Sequence, residues 1–140
     1  MNLRRAFTVT EAIVAVTILA VLLAMGVPRM TRAAEQMKLD AAAMRLKAVW
    51  SAQRLYWLEE SSFATTLQAL GGDGLIDEAV AAGGDGDWTF VLASPSADVF
   101  VVTATRTGAS WTGSIAIDES GTITGGLDGP DGVHLTAVSP

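Results

Sequence analysis

The sequence predicts an α+β fold, in which a long N-terminal helix is packed against a small antiparallel sheet of three or four strands. Three observations carry this. Residues 7–27 form an almost unbroken apolar run, and residues 29–62 continue without a Gly or Pro and with apolar side chains three and four apart. From residue 88 onward, short β-branched runs alternate with Gly, Pro, Asp and Ser. At 140 residues the chain holds one small domain plus an anchor. It has no cysteine, which excludes a disulfide framework and a thiolate metal site.

The apolar run is FTVTEAIVAVTILAVLLAMGVP, Phe7 to Pro28, preceded by a short basic leader with Arg4 and Arg5 that ends on Ala6. Phe7 to Val27 as helix spans roughly 31 Å, close to the hydrocarbon thickness of a bilayer. A secretory signal would place its small residue after the apolar run, whereas here Ala6 comes before it. Glu11 is the one charge inside the run. A carboxylate in an apolar helix costs on the order of 3 kcal/mol at the membrane centre and less near the interface. Two explanations are open: hydration at the interface, or pairing with a cation of a neighbouring subunit. Pro28 removes one helical hydrogen bond and is expected to bend the helix.

The order of basic leader, small residue, Phe7-Thr8-Val9-Thr10-Glu11, apolar run and Pro28 resembles the N-terminal segment of type IV pilins and type II secretion pseudopilins. Ala6 stands where the family has Gly, and Val9-Thr10 where it commonly has Leu-Ile. The resemblance covers about a fifth of the chain. It implies that a prepilin peptidase cuts between Ala6 and Phe7 and that the new amino group of Phe7 is methylated. It also implies that Glu11 neutralises the terminus of an adjacent subunit and that Pro28 is the kink of the helix. The implied partners are the peptidase, other pilin or pseudopilin subunits and an inner-membrane assembly platform. The implied location is a single-pass inner-membrane protein, N-terminus cytoplasmic and head periplasmic, and then a periplasmic or extracellular filament. The expected segments are a leader (1–6), a transmembrane polymerisation helix (7–28) and a pilin-like head (29–140). The head divides into a stem (29–60), a connection (61–87) and a sheet (88–140).

In the stem, Met37, Ala41, Met44, Ala48, Ala52 and Leu55 form an apolar stripe, with Lys38, Asp40, Arg45, Lys47 and Arg54 off it. Fewer than three heptads and many alanines favour this stripe as the face on which the sheet sits, over a coiled-coil seam. Phe63–Leu70 and Leu75–Ala82 are expected as short helices, each stopped by paired glycines. Strands are expected at Trp88–Ala93, Val99–Arg106, Trp111–Ile117 and Thr122–Thr124, with an edge at Val133–Val138. The sequence Asp118-Glu119-Ser120-Gly121 should form a hairpin turn. Trp50, Trp57, Trp88 and Trp111, with Tyr56, are assigned to the core at the stem–sheet junction; the other reading is a carbohydrate-binding surface.

Charge divides the chain. Residues 1–59 carry eight basic and four acidic side chains, and residues 60–140 carry one basic (Arg106) and eleven acidic. The acidic portion repels phosphate, so nucleic acid is not an expected partner. No nucleophile–base pair, phosphate loop or metal constellation is visible, and the single histidine, His134, reads as a surface or edge-strand residue. An enzyme is therefore not expected. No cofactor is assigned; Asp128 and Asp131, in the turn DGPDG, are weak calcium candidates. The leading expectation is a structural subunit of a pilus-like filament. A secretion pseudopilin is the alternative, and a membrane-tethered binding module with an uncleaved anchor comes third.

Overall fold

The structure is a computed structural model that describes residues 8–93, 98–108 and 110–137. Within these, the side chains of Met25, Val27, Pro28, Arg29, Asp85 and Asp131 are outside the description. Helix α1 runs Val9–Glu60, helix α2 Leu67–Gly72 and helix α3 Glu78–Ala81. The strands are β1 Gly84–Asp85, β2 Trp88–Ala93, β3 Val101–Thr107, β4 Thr112–Asp118, β5 Ile123–Asp128 and β6 His134–Thr136. The chain forms two compact units, Met1–Glu35 and Gln36–Pro140, which divide inside α1.

The second unit is α+β, with the helix packed against an antiparallel sheet, as the sequence predicts. The sheet is a meander of six strands in chain order, β1-β2-β3-β4-β5-β6, where three or four were expected. The two added strands are short. The two-residue β1 lies in GGDGDW, a tract rich in turn glycines that reads as loop. β6, foreseen only as an edge, pairs its three residues with β5. The register places three inward rows across the sheet. Phe90, Ala104 and Ile115 form one, Leu92, Val102, Ile117 and Ile123 the next, and Trp88, Arg106, Gly113, Leu127 and Leu135 the third. Residues between them along each strand face outward, following the period of two.

The face of α1 that meets this sheet is not the one expected. Leu39, Ala42, Ala43, Leu46, Val49 and Ala52 are buried and join Phe100, Val102, Ile115, Ile117 and Leu127 in one core. Of the expected stripe only Ala52 is buried; Met37 and Met44 are 70% and 73% exposed. Both stripes have the required spacing, but the buried one carries the branched side chains. These lose less rotamer entropy on burial than methionine and fill the space more fully.

The short helices also start later than expected. Gln53 is fully buried, and its amide accepts from the Ala64 N–H (2.8 Å) and donates to the Ala64 carbonyl (3.0 Å). With both backbone groups of Ala64 occupied, the segment around Phe63 stays non-helical, and α2 begins only after Thr66, whose hydroxyl accepts from the Ala69 N–H. Asp77 caps α3 in the same way, accepting from Ala79. α1 itself ends at Ser61, which takes a positive φ of 55° while its N–H bonds the Trp57 carbonyl.

In the first unit α1 continues through position 28, so Pro28 does not end the helix; its side chain, and with it the expected kink, lies outside the description. Among the described residues no helix is long and apolar enough to cross a membrane. The membrane-spanning character expected for residues 7–28 is thus not shown by them. The apolar run of the sequence also includes Phe7, Met25 and Val27, which fall outside the described residues or side chains.

The choice of stripe is directly testable. Leu46→Ala should destabilise the head by about 2–5 kcal/mol, whereas Met44→Ala should change its stability by less than about 0.5 kcal/mol, both measured by denaturant unfolding. Gln53→Leu should cost about 1–3 kcal/mol for each Ala64 backbone group left unpaired.

Candidate assembly segment and aromatic corner

Ala6 and Phe7, the expected processing residues, lie outside the described residues. Glu11 is described, and it sits in the first turn of α1. Its carboxylate accepts from the N–H and the hydroxyl of Thr8, both at 3.2 Å, while the Thr8 hydroxyl accepts from the Glu11 N–H at 3.3 Å. This reciprocal pair is a capping box, which satisfies helix N–H groups that have no partner within the helix. The sequence pattern T-x-x-E carried this signal. The carboxylate also lies at the positive end of the helix dipole, where a negative charge is stabilised.

Between Ala12 and Ala24 the described helix surface is apolar on every side. Val9, Ile13, Val14, Val16, Ile18, Leu19, Val21, Leu22 and Leu23 are each more than half exposed. Thr17 turns its hydroxyl back to the Ile13 carbonyl at 2.7 Å and so offers little polarity outward. A helix that is apolar all round is normally covered. Among the described residues of the Met1–Glu35 unit, none covers these side chains.

In the head, the four tryptophans divide. Trp88 and Trp111 are buried as expected, and Trp50 and Tyr56 pack half-buried against the core. Trp57 departs from expectation, being 42% exposed near the C-terminal end of α1. The Trp50 indole N–H donates to the Glu119 carbonyl at 3.0 Å, and the Arg54 guanidinium lies 5.6 Å from the centre of the Trp50 ring. The turn that carries Glu119 is fixed from within. The Asp118 carboxylate accepts from the Ser120 hydroxyl and from the N–H groups of Ser120 (3.0 Å) and Thr122 (3.3 Å). These bonds, the Ser120 hydroxyl foremost, hold its pKa below the usual carboxylate value. Gly121 closes the turn with φ +80°, and a Cβ there would come within 3.1 Å of the Trp50 ring.

Arg106, the one basic residue of 60–140, is 5% exposed on the inner face of β3 and pairs with Asp87 at 3.6 Å. The alternation Phe100-Val102-Ala104 continues to Arg106 and is the signal that would have placed it inward. Among the calcium candidates, Asp128 lies beside its cross-strand partner His134, with its carboxylate 2.7 Å from Nδ1. The side chain of Asp131 is outside the description. Among the described residues no group of three or more His, Cys, Asp or Glu could hold a metal ion.

Comparison with protein-family models, with curated proteins and with solved structures gave no match.

The Asp118 turn makes a pH prediction. A carboxylate whose pKa is depressed by folding contributes stability that is present above its ordinary value, 3.8, and is lost as pH falls through the lower value of the folded state. Asp118→Ala should therefore lower the melting temperature at neutral pH. The gap to wild type should shrink as pH drops below about 4.

Proposed function

We propose that this chain is a structural subunit of a type IV pilus-like filament, inserted in the inner membrane as a prepilin, cleaved before Phe7, methylated there and assembled through its N-terminal helix. The observation that carries the reading is the helix surface of residues 9–23, which is apolar on all sides and interrupted by a single carboxylate in its first turn. Lipid covers such a surface before assembly, and sister helices cover it afterwards. The architecture of the head, a helix laid on an antiparallel meander, is compatible with this role.

The proposed assembly step is electrostatic. In this proposal the Glu11 carboxylate, which Thr8 holds at the helix start, meets the methylated amino group of Phe7 on a neighbouring subunit. Away from water that attraction is weakly screened, while a wrongly registered neighbour leaves the charge unpaired and is rejected. Removal of residues 1–6 takes away Arg4 and Arg5, two charges that a helix bundle could not accommodate. The prepilin peptidase and the assembly platform are the partners this requires.

Two measurements test the reading. Mass spectrometry of the mature protein should find a chain that begins at methylated Phe7; an intact Met1 or an uncut leader would sink the proposal. Glu11→Leu should leave cleavage in place and reduce incorporation into filaments by more than about tenfold, the equivalent of about 1.4 kcal/mol.

A further inference from the structure

The aromatic corner of the head has a feature that the proposed assembly step, confined to the N-terminal helix, does not involve. Near the end of α1, Arg54 and Trp57 line a half-open cleft of about 300 Å³ together with Phe63, Asp98 and Glu119. All five belong to the Gln36–Pro140 unit. We propose that this cleft is a binding site for a neutral saccharide, with Trp57 as its stacking platform.

The lining is chemically mixed. Trp57 is 42% exposed, while Trp88 and Trp111 are 5% and 4% exposed, so this one indole keeps much of its surface available. Phe63 provides a second apolar contact and is itself anchored by an edge-to-face contact with Phe100, ring centres 4.8 Å apart. The polar residues of the lining are Asp98, Glu119 and Arg54; their carboxylates are acceptors and the guanidinium is a donor. A pyranose ring presents C–H groups on its face and hydroxyls around its edge. The face suits the indole, and each hydroxyl can donate to a carboxylate or accept from the arginine. A cationic ligand would meet Arg54 and an anionic one would meet Asp98 and Glu119. A neutral polyol satisfies both signs of charge.

The cleft is also prepared in advance. The Arg54 guanidinium lies over the Trp50 ring, and the Trp50 indole N–H holds the backbone of Glu119. The turn behind Glu119 is pinned by Asp118. The Arg54 head and the Glu119 backbone are thus held before a ligand arrives, which lowers the ordering cost at that wall of the cleft. The volume accommodates a sugar of one or two rings.

The test uses the full-length protein in detergent micelles and does not depend on assembly. Cellobiose, lactose and chitobiose are titrated by calorimetry and by tryptophan fluorescence, with N-acetylarginine amide as a cationic probe. At least one disaccharide should bind at millimolar concentration or below. Trp57→Ala should weaken that binding by at least about tenfold. Asp98→Asn and Glu119→Gln should each weaken it severalfold, and Asp73→Asn, outside the cleft, should leave it unchanged. Far-UV circular dichroism checks that Trp57→Ala remains folded, and should it not, the Asp98 and Glu119 variants decide the matter. Absence of binding by all three disaccharides overturns the proposal. So does binding that none of the cleft substitutions weakens, or tighter binding of the arginine amide than of any sugar.

Discussion

The head depends on one contact, the burial of Leu39, Leu46 and Val49 of α1 against the inward rows of the meander. Neither element is stable without the other. An isolated helix of this composition is marginal in water, and a twisted meander with one apolar face needs that face covered. Fully burying each of these side chains contributes about 1.5–3 kcal/mol relative to leaving it exposed. Phe100, Val102, Ile115, Ile117 and Leu127 add the complementary surface, and all of them are at most 1% exposed. Because the strands pair strictly with their sequence neighbours, a shift of any strand by one residue would turn its apolar set outward. The helix therefore specifies the register as well as covering the sheet.

The connection between helix and sheet is governed by the same contact. Gln53 lies on the buried face of α1, one residue after Ala52, and its amide bonds both backbone groups of Ala64. A polar residue at that depth is tolerated only when its hydrogen bonds are made. It fixes where the chain leaves the helix and sends Phe63 towards Phe100. The cleft lined by Arg54 and Trp57 lies where the helix end, the segment after it and the β4–β5 turn converge. The proposed saccharide site is thus a by-product of how the core closes at that corner.

The first unit follows a different rule. Between Ala12 and Ala24 its helix carries apolar side chains around the whole circumference, and the capping box of Thr8 and Glu11 places a carboxylate in its first turn. In the head, apolar surface is paired within the chain. In this segment the described apolar side chains are exposed, and that difference underlies the filament proposal.

Much of this was legible in the sequence, because it depends on local chemistry. The long helix, the limits of β2, the turn at Asp118–Gly121 and the T-x-x-E cap all follow from propensity, alternation and side-chain hydrogen bonds between near neighbours. Tertiary structure decided the remainder. Two apolar stripes run along the stem, one through Met37 and Met44 and one through Leu39 and Leu46, and both satisfy the helical period. Only the position of the sheet selects between them. The late start of α2 depends on Gln53, which lies eleven residues before Ala64, beyond the reach of any capping rule. The same holds for β1, whose two residues become a strand only by pairing with β2, and for Trp57, whose exposure is set by where the core ends. Spacing along the chain identifies which residues can share a face, and long-range packing determines which of those faces is buried.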